Sequence, residues 1–470
     1  MGAGKRGDDM KAVRGAASVL VLAAAISVCG AAYADTFTLR DALVVAYETN
    51  PQLDADRASL RATDENVAQA NAGWRPTLNA GGTYGYQEFG AAAPPSEPAG
   101  GIASTSEHPI TGQVTVSQPI FRGGRTYAEV GRAKAQVRAG ENELSNTEEN
   151  VLLNAVTAYM DVVRDEATLR LRQNNVTVLQ KQLDATQEQF KVGELTRTDV
   201  AQAQARLSGA QSDVITAEGQ LNVSRSNFEH YIGRPPETLE EHPALPPVPA
   251  SEDGVITLAM KQNPALRQAQ ENVKAANYAI DDAAGALAPQ VSIQGQYEYL
   301  EGSPLEGIPG AGHISSLTAN VTVPIYQGGA DESLVRQQKE LREQAQLAVA
   351  DIGRQVIDAA RSSWQSFTAA KATIVSNQTQ VQADQVAYDG VKQEQQVGSR
   401  TILDVLNAEQ ELLNSEVAVV ISQHDTCVAA YQVLSATGQL TARGLALNVR
   451  LYDPKAYYNE NASRWFGFGD

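Results

Sequence analysis

Enzyme chemistry needs reactive side chains gathered at recognisable spacings, and in this sequence they are scattered. His108, His230, His242, His313 and His424 stand far apart and match no metal-ligand spacing, and no nucleophile elbow or phosphate-cradling glycine loop appears. The pairs Gly123-Gly124 and Gly328-Gly329 follow strand-like stretches but lack the further glycines of a dinucleotide fingerprint. Cys427 is alone once Cys29, inside an N-terminal leader, is set aside, so packing and not a disulfide must hold the fold. Catalysis, cofactor binding and metal binding are therefore not expected. The charged residues that do form a pattern are Asp199, six positions after Gly193, and Asp404, six positions after Gly398. A carboxylate near a helix N-terminus favours the macrodipole, and that is one use for both.

The elements that carry those two aspartates are themselves duplicated. KVGELTRTDVAQAQARL at 191–207 has a relative in QVGSRTILDVLNAEQEL at 396–412. Asn50-Pro51, Tyr84 and Tyr86 recur as Asn263-Pro264, Tyr297 and Tyr299, and Pro119-Ile120-Phe121 recurs as Pro324-Ile325-Tyr326. The chain is thus divided into a secretory signal at 1–34 ending in Ala32-Tyr33-Ala34, a first repeat at 35–248, a second at 249–445 and a tail at 446–470. The offset between copies changes only between Tyr86 and Pro119, which marks residues 88–111, and their partner 301–314, as exposed loops.

Apolar and polar residues alternate on both sides of each loop, which predicts strands at about 78–87, 112–121, 290–300 and 316–326. A soluble hairpin alternates in the same way, but segments of this length with tyrosines at one end and Phe121 or Tyr326 at the other suit a membrane barrel. No proline interrupts 125–192 or 330–396, where Val130, Val137, Leu144 and Val151 stand seven apart. Each stretch predicts a helix of about 100 Å. Shorter helices at 51–74 and 196–232, laid end to end, nearly match the first, and 264–288 with 400–437 nearly match the second.

Strand number then limits the architecture. Four strands leave two open edges, which lipid does not tolerate, so several copies must close one barrel; three give twelve strands and a passage. After the leader there is no apolar run long enough for a spanning helix. The formal net charge of −18 argues against nucleic acid as a partner. The competing reading is a periplasmic or surface coiled-coil structural protein or adhesin.

The Asn-Pro helix starts, the Pro-Ile-aromatic-x-Gly-Gly strand exits, the two Val-Gly turns and the tail LYDPKAYYN, duplicated and in order over the whole mature chain, resemble the TolC family of outer-membrane efflux and type I secretion channels. The resemblance implies an α+β membrane protein: a homotrimer with a twelve-stranded barrel in outer-membrane lipid, continuous with a long periplasmic helical barrel. It implies as partners a periplasmic adaptor and an inner-membrane pump or ABC transporter. Gly193 and Gly398 then lie at the periplasmic helix-turn tips. Arg400 matches the family's gate arginine, Thr198 and Asp199 its bonding partners on the other repeat, and Asp404 one acidic ring at the entrance. Two positions depart: Gln395 stands where a gate tyrosine occurs, and Asn407 where a second acidic ring would be.

Overall fold

The computed structural model describes residues 36–91, 103–302 and 311–468; the leader at 1–34 lies outside them. The first helices of the described residues are α1 (Leu39–Thr49) and α2 (Pro51–Asn71). Asn50 separates them by accepting the Gln52 and Leu53 amides at 3.0 and 3.3 Å, while Pro51 supplies a first-turn residue whose missing N–H costs nothing. Strands β1 (Thr77–Tyr84), β2 (Gln87–Ala91), β3 (Ala103–Glu107) and β4 (Ile110–Arg122) follow. Then come α3 (Arg125–Lys191), α4 (Arg197–Ile232), α5 (Glu252–Gln262) and α6 (Pro264–Gly285). The second half continues with β5 (Gln290–Glu301), β6 (Gly312–Thr322), α7 (Ala330–Gln396), α8 (Ile402–Ala436) and α9 (Ala456–Asn461).

β1, β4, β5 and β6 form one antiparallel sheet in that order, so the strand pairs of the two repeats meet at β4–β5. The first loop is not wholly irregular: β2 and β3 pair as a separate two-stranded ribbon at its base. β6 ends at Thr322, short of 326, because Pro324 has no N–H to give to a ladder. Partners share a face: Leu78 lies opposite Val116, Val114 opposite Tyr297, and Val291 opposite Val321. Asn79, Thr115, Gln296 and Ser316 follow one another on the other face. A register shift between Pro119 and Phe121 brings Phe121 opposite Val291, so the bulge turns that ring onto the apolar face. The apolar face is uncovered, with Leu317 79% and Val321 64% exposed, as a lipid-facing surface must be.

Gly123-Gly124 and Gly328-Gly329 convert strand to helix through consecutive left-handed residues, with φ of +64°, +83°, +66° and +80°, a pair of conformations that glycine alone adopts readily. About the middle of α3, residues from distant segments pack together. Tyr159 is fully buried there; its hydroxyl donates to the Phe37 carbonyl and accepts from the Glu240 amide, both at 2.8 Å. These bonds clamp the start of the chain and the linker after α4 onto the long helix.

Candidate gate at the helical tips

Each long helix reverses into a shorter one through a glycine in the left-handed region. Gly193 has φ +85° and Gly398 φ +80°. Nothing lies within 4 Å of a Cβ added to either, so conformation, not crowding, demands glycine there. The reversal satisfies the last carbonyls of the long helices: the Gly193 amide donates to Phe190 O and the Glu194 amide to Gln189 O, while Gly398 and Ser399 donate to Gln395 O and Glu394 O.

The outgoing helices start with identical capping boxes. Thr196 N and Oγ1 donate to Asp199 Oδ2 at 2.8 and 2.7 Å, and Thr401 N and Oγ1 donate to Asp404 Oδ2 at 2.9 and 2.8 Å. The aspartates' amides bond back to the threonine hydroxyls. Side-chain and backbone bonds from Thr196 hold the Asp199 carboxyl below the usual range, and backbone and side-chain bonds from Thr401 do the same for Asp404. Both are therefore anionic caps that still face solvent, and they carry negative charge to the tip.

Within one chain Arg400 meets Glu394, in the last turn of α7, with Nε donating to Oε2 at 3.0 Å; both side chains are about half exposed. Thr198 is exposed in the first turn of α4. The two tips are joined by a different pair: Arg206 Nη2 donates to Asn407 Oδ1 at 2.9 Å. Beneath it Ile402 and Leu406 of α8 pack against Leu179, Leu183, Ala203 and Leu207. No sequence motif marks Glu394, which faces Arg400 across the glycine turn, or Arg206, whose partner depends on which faces of α4 and α8 turn toward one another; Asn407 is marked only as a departure from the family pattern.

Farther along the bundle His424 lies between two carboxylates, Nε2 at 3.1 Å from Asp161 Oδ1 and Nδ1 at 2.9 Å from Asp425 Oδ1. Burial opposes protonation, but the bonds to Asp161 and Asp425 outweigh it and raise the imidazole's pKa. In the same bundle the buried Ser224 hydroxyl donates to Asp165. Among the described residues no group of three His, Cys, Asp or Glu is placed to hold a metal ion, and no helix is long and apolar enough to cross a membrane.

Comparison with known proteins agrees with this geometry. The profile of the outer membrane efflux protein family matches residues 42–234 and 255–442. Outer membrane efflux protein BepC of Brucella suis biovar 1 is 34% identical over 435 residues, covering 92% of this chain and 91% of its own. Outer membrane protein TolC of Escherichia coli is 26% identical over 433 residues, covering 88% and 85%. The solved Campylobacter jejuni CmeC outer membrane channel shares the fold at a TM-score of 0.76 and 16% identity, over 90% of this chain and 89% of that one. With a sheet that exposes an apolar face and paired helices that meet at glycine tips, the chain belongs to the outer membrane efflux protein family and is an outer-membrane channel, not an enzyme.

Proposed function

We propose that three copies of this chain form one gated tunnel across the outer membrane and periplasm, closed at the tip by Arg400, Thr198, Asp199 and Asp404. There it meets a periplasmic adaptor and an inner-membrane pump or ABC transporter. The observation that carries the assembly is an asymmetry between the long helices. α3 is packed by α2 and α4 of its own repeat and by α6 and α8 of the other. Gly123 is so close to Gly285 that an added Cβ would stand 2.2 Å from the Gly285 oxygen, and Arg138 pairs with Glu271 of α6 at 2.7 Å. Among the described residues the equivalent side of α7 has no such neighbour: a Cβ added at Gly328 has nothing within 4 Å, and Leu334, Leu341 and Leu347 are exposed. The missing neighbour is the equivalent of α6, namely α2 of another copy. Such a head-to-tail contact closes a ring, and three chains give the strand count that leaves a water-filled passage.

At the tip Arg400 stands beside solvent, where Glu394 competes with any partner on a neighbouring chain. Opening then requires only exchange among exposed ion pairs, each of about 1 kcal/mol or less. The acidic caps favour cations at the entrance. Conductance of the purified protein in a planar bilayer tests the proposal. A small, cation-selective conductance that rises in Arg400→Ala supports it, and a protein that is monomeric in mild detergent and carries no current overturns it, favouring a coiled-coil structural role.

A further inference from the structure

Residues 465–468 present aromatic rings to solvent, and the clamp that holds them lies just before β1. The tail climbs along α2. Tyr457 donates to Glu65 at 2.8 Å, Asn71 donates to the Ala462 carbonyl at 2.9 Å, and Tyr458 and Ala462 pack on Val67, Ala133 and Val137. Arg75 then fixes the last turn. Its Nη1 donates to Arg464 O at 2.6 Å and its Nη2 to Ser463 O at 3.1 Å, and the guanidinium lies over the Trp465 ring, 4.7 Å from the centroid. Beyond this clamp Trp465, Phe466 and Phe468 are 60%, 87% and 110% exposed. A pinned backbone that holds three such rings in water pays for apolar exposure without burying anything.

The position of the clamp identifies what covers the rings. Arg75 is two residues before Thr77, the first residue of β1. The carbonyl of its neighbour Trp74 accepts from Gln118 Nε2 at 3.0 Å, and Gln118 pairs with Ile293 of the lipid-facing rows. Phe121, turned onto that same face by the bulge, stands at the same end of the sheet. Trp74, Phe121 and the tail clamp therefore stand at the helix-side end of the barrel strands. Aromatic rings mixed with arginine are the composition that settles at the boundary of headgroups and acyl chains, and Arg75 and Arg464 suit anionic headgroups there.

We infer that residues 464–468 are a lipid anchor: Trp465, Phe466 and Phe468 enter the periplasmic surface of the outer-membrane bilayer and fix the height of the helical barrel beneath it. The inference rests on the channel reading for its orientation. It is tested with the full chain carrying Trp74→Phe and Trp364→Phe, so that Trp465 alone emits, reconstituted in phosphatidylethanolamine–phosphatidylglycerol vesicles. Lipids brominated next to the headgroup are expected to quench the emission most, lipids brominated near the chain end less, and aqueous iodide little. Quenching by iodide without quenching by bromolipid would overturn the anchor. Protection from both would also overturn it, because another protein surface would then cover the ring. Bilayer conductance of the same preparation separates the two readings: current that persists while Trp465 stays in water removes the anchor and leaves the channel.

Discussion

The Arg206 guanidinium and the Asn407 side chain meet at 2.9 Å, tying the helix that leaves one tip to the helix that leaves the other. The bond is exposed and neutral on one side, so it contributes about 1 kcal/mol or less. Arg206→Ala and Asn407→Ala are each expected to raise mean single-channel conductance, with the double variant no more open than either single one. Additive increases would show that the two side chains act independently.

At the proposed gate, the capping box and the charge can be separated. Asp199→Asn and Asp404→Asn keep an oxygen to accept from the threonines of the capping boxes and remove only charge, whereas alanine also removes the carboxylate half of each box and leaves the threonine cap in place. Arg400→Ala is expected to increase conductance, and Asp404→Asn to weaken cation selectivity and block by multivalent cations. Because its bonds to Thr401 lower the Asp404 pKa from 3.8, selectivity should persist on acidification until the pH falls below that value. Selectivity lost well above it, with trimers intact, would remove Asp404 from the entrance.

In the membrane, Val291, Ile293, Leu317 and Val321 belong to the apolar face of the paired strands, and Gln294, Gln296, Asn320 and Thr322 to the other. Single cysteines at the second set, in a Cys427→Ser background, are expected to react with a water-soluble maleimide applied to reconstituted trimers, while the first set is shielded by lipid. The opposite labelling pattern would turn the sheet inside out.

Burial pushes the Glu409 carboxyl from 4.5 up to about 7, with Lys392 partly opposing the shift, and Tyr388, itself raised first by burial and then by Glu409, is close by. The folded chain therefore holds this proton more tightly than the unfolded one. Stability from Glu409 is fully present below pH 4.5 and declines as the pH rises through about 7. Glu409→Gln should abolish that decline and be the more stable protein at alkaline pH, by about 1–3 kcal/mol. Thermal unfolding of both proteins across this range checks it; parallel curves would mean that Glu409 is ionised in the fold.

Much of the architecture is written in local pattern. Alternation in VSIQGQYEY, the Asn-Pro starts and the consecutive glycines each limit the backbone to few conformations, and open strand edges in lipid then require oligomerisation. Even the boxes Thr196 to Asp199 and Thr401 to Asp404 are short-range signals. Tertiary structure decided what depends on residues far apart in the chain. Strict alternation from Val116 would put Phe121 on the polar face, and only the bulge against β5 reverses it. Arg206 meets Asn407 because the packing of the helices sets the rotation of each tip. No local periodicity reports that α7 lacks the neighbour α3 has, or that Arg75 clamps the tail beside the barrel, because these facts follow from which surfaces remain uncovered after one chain has folded.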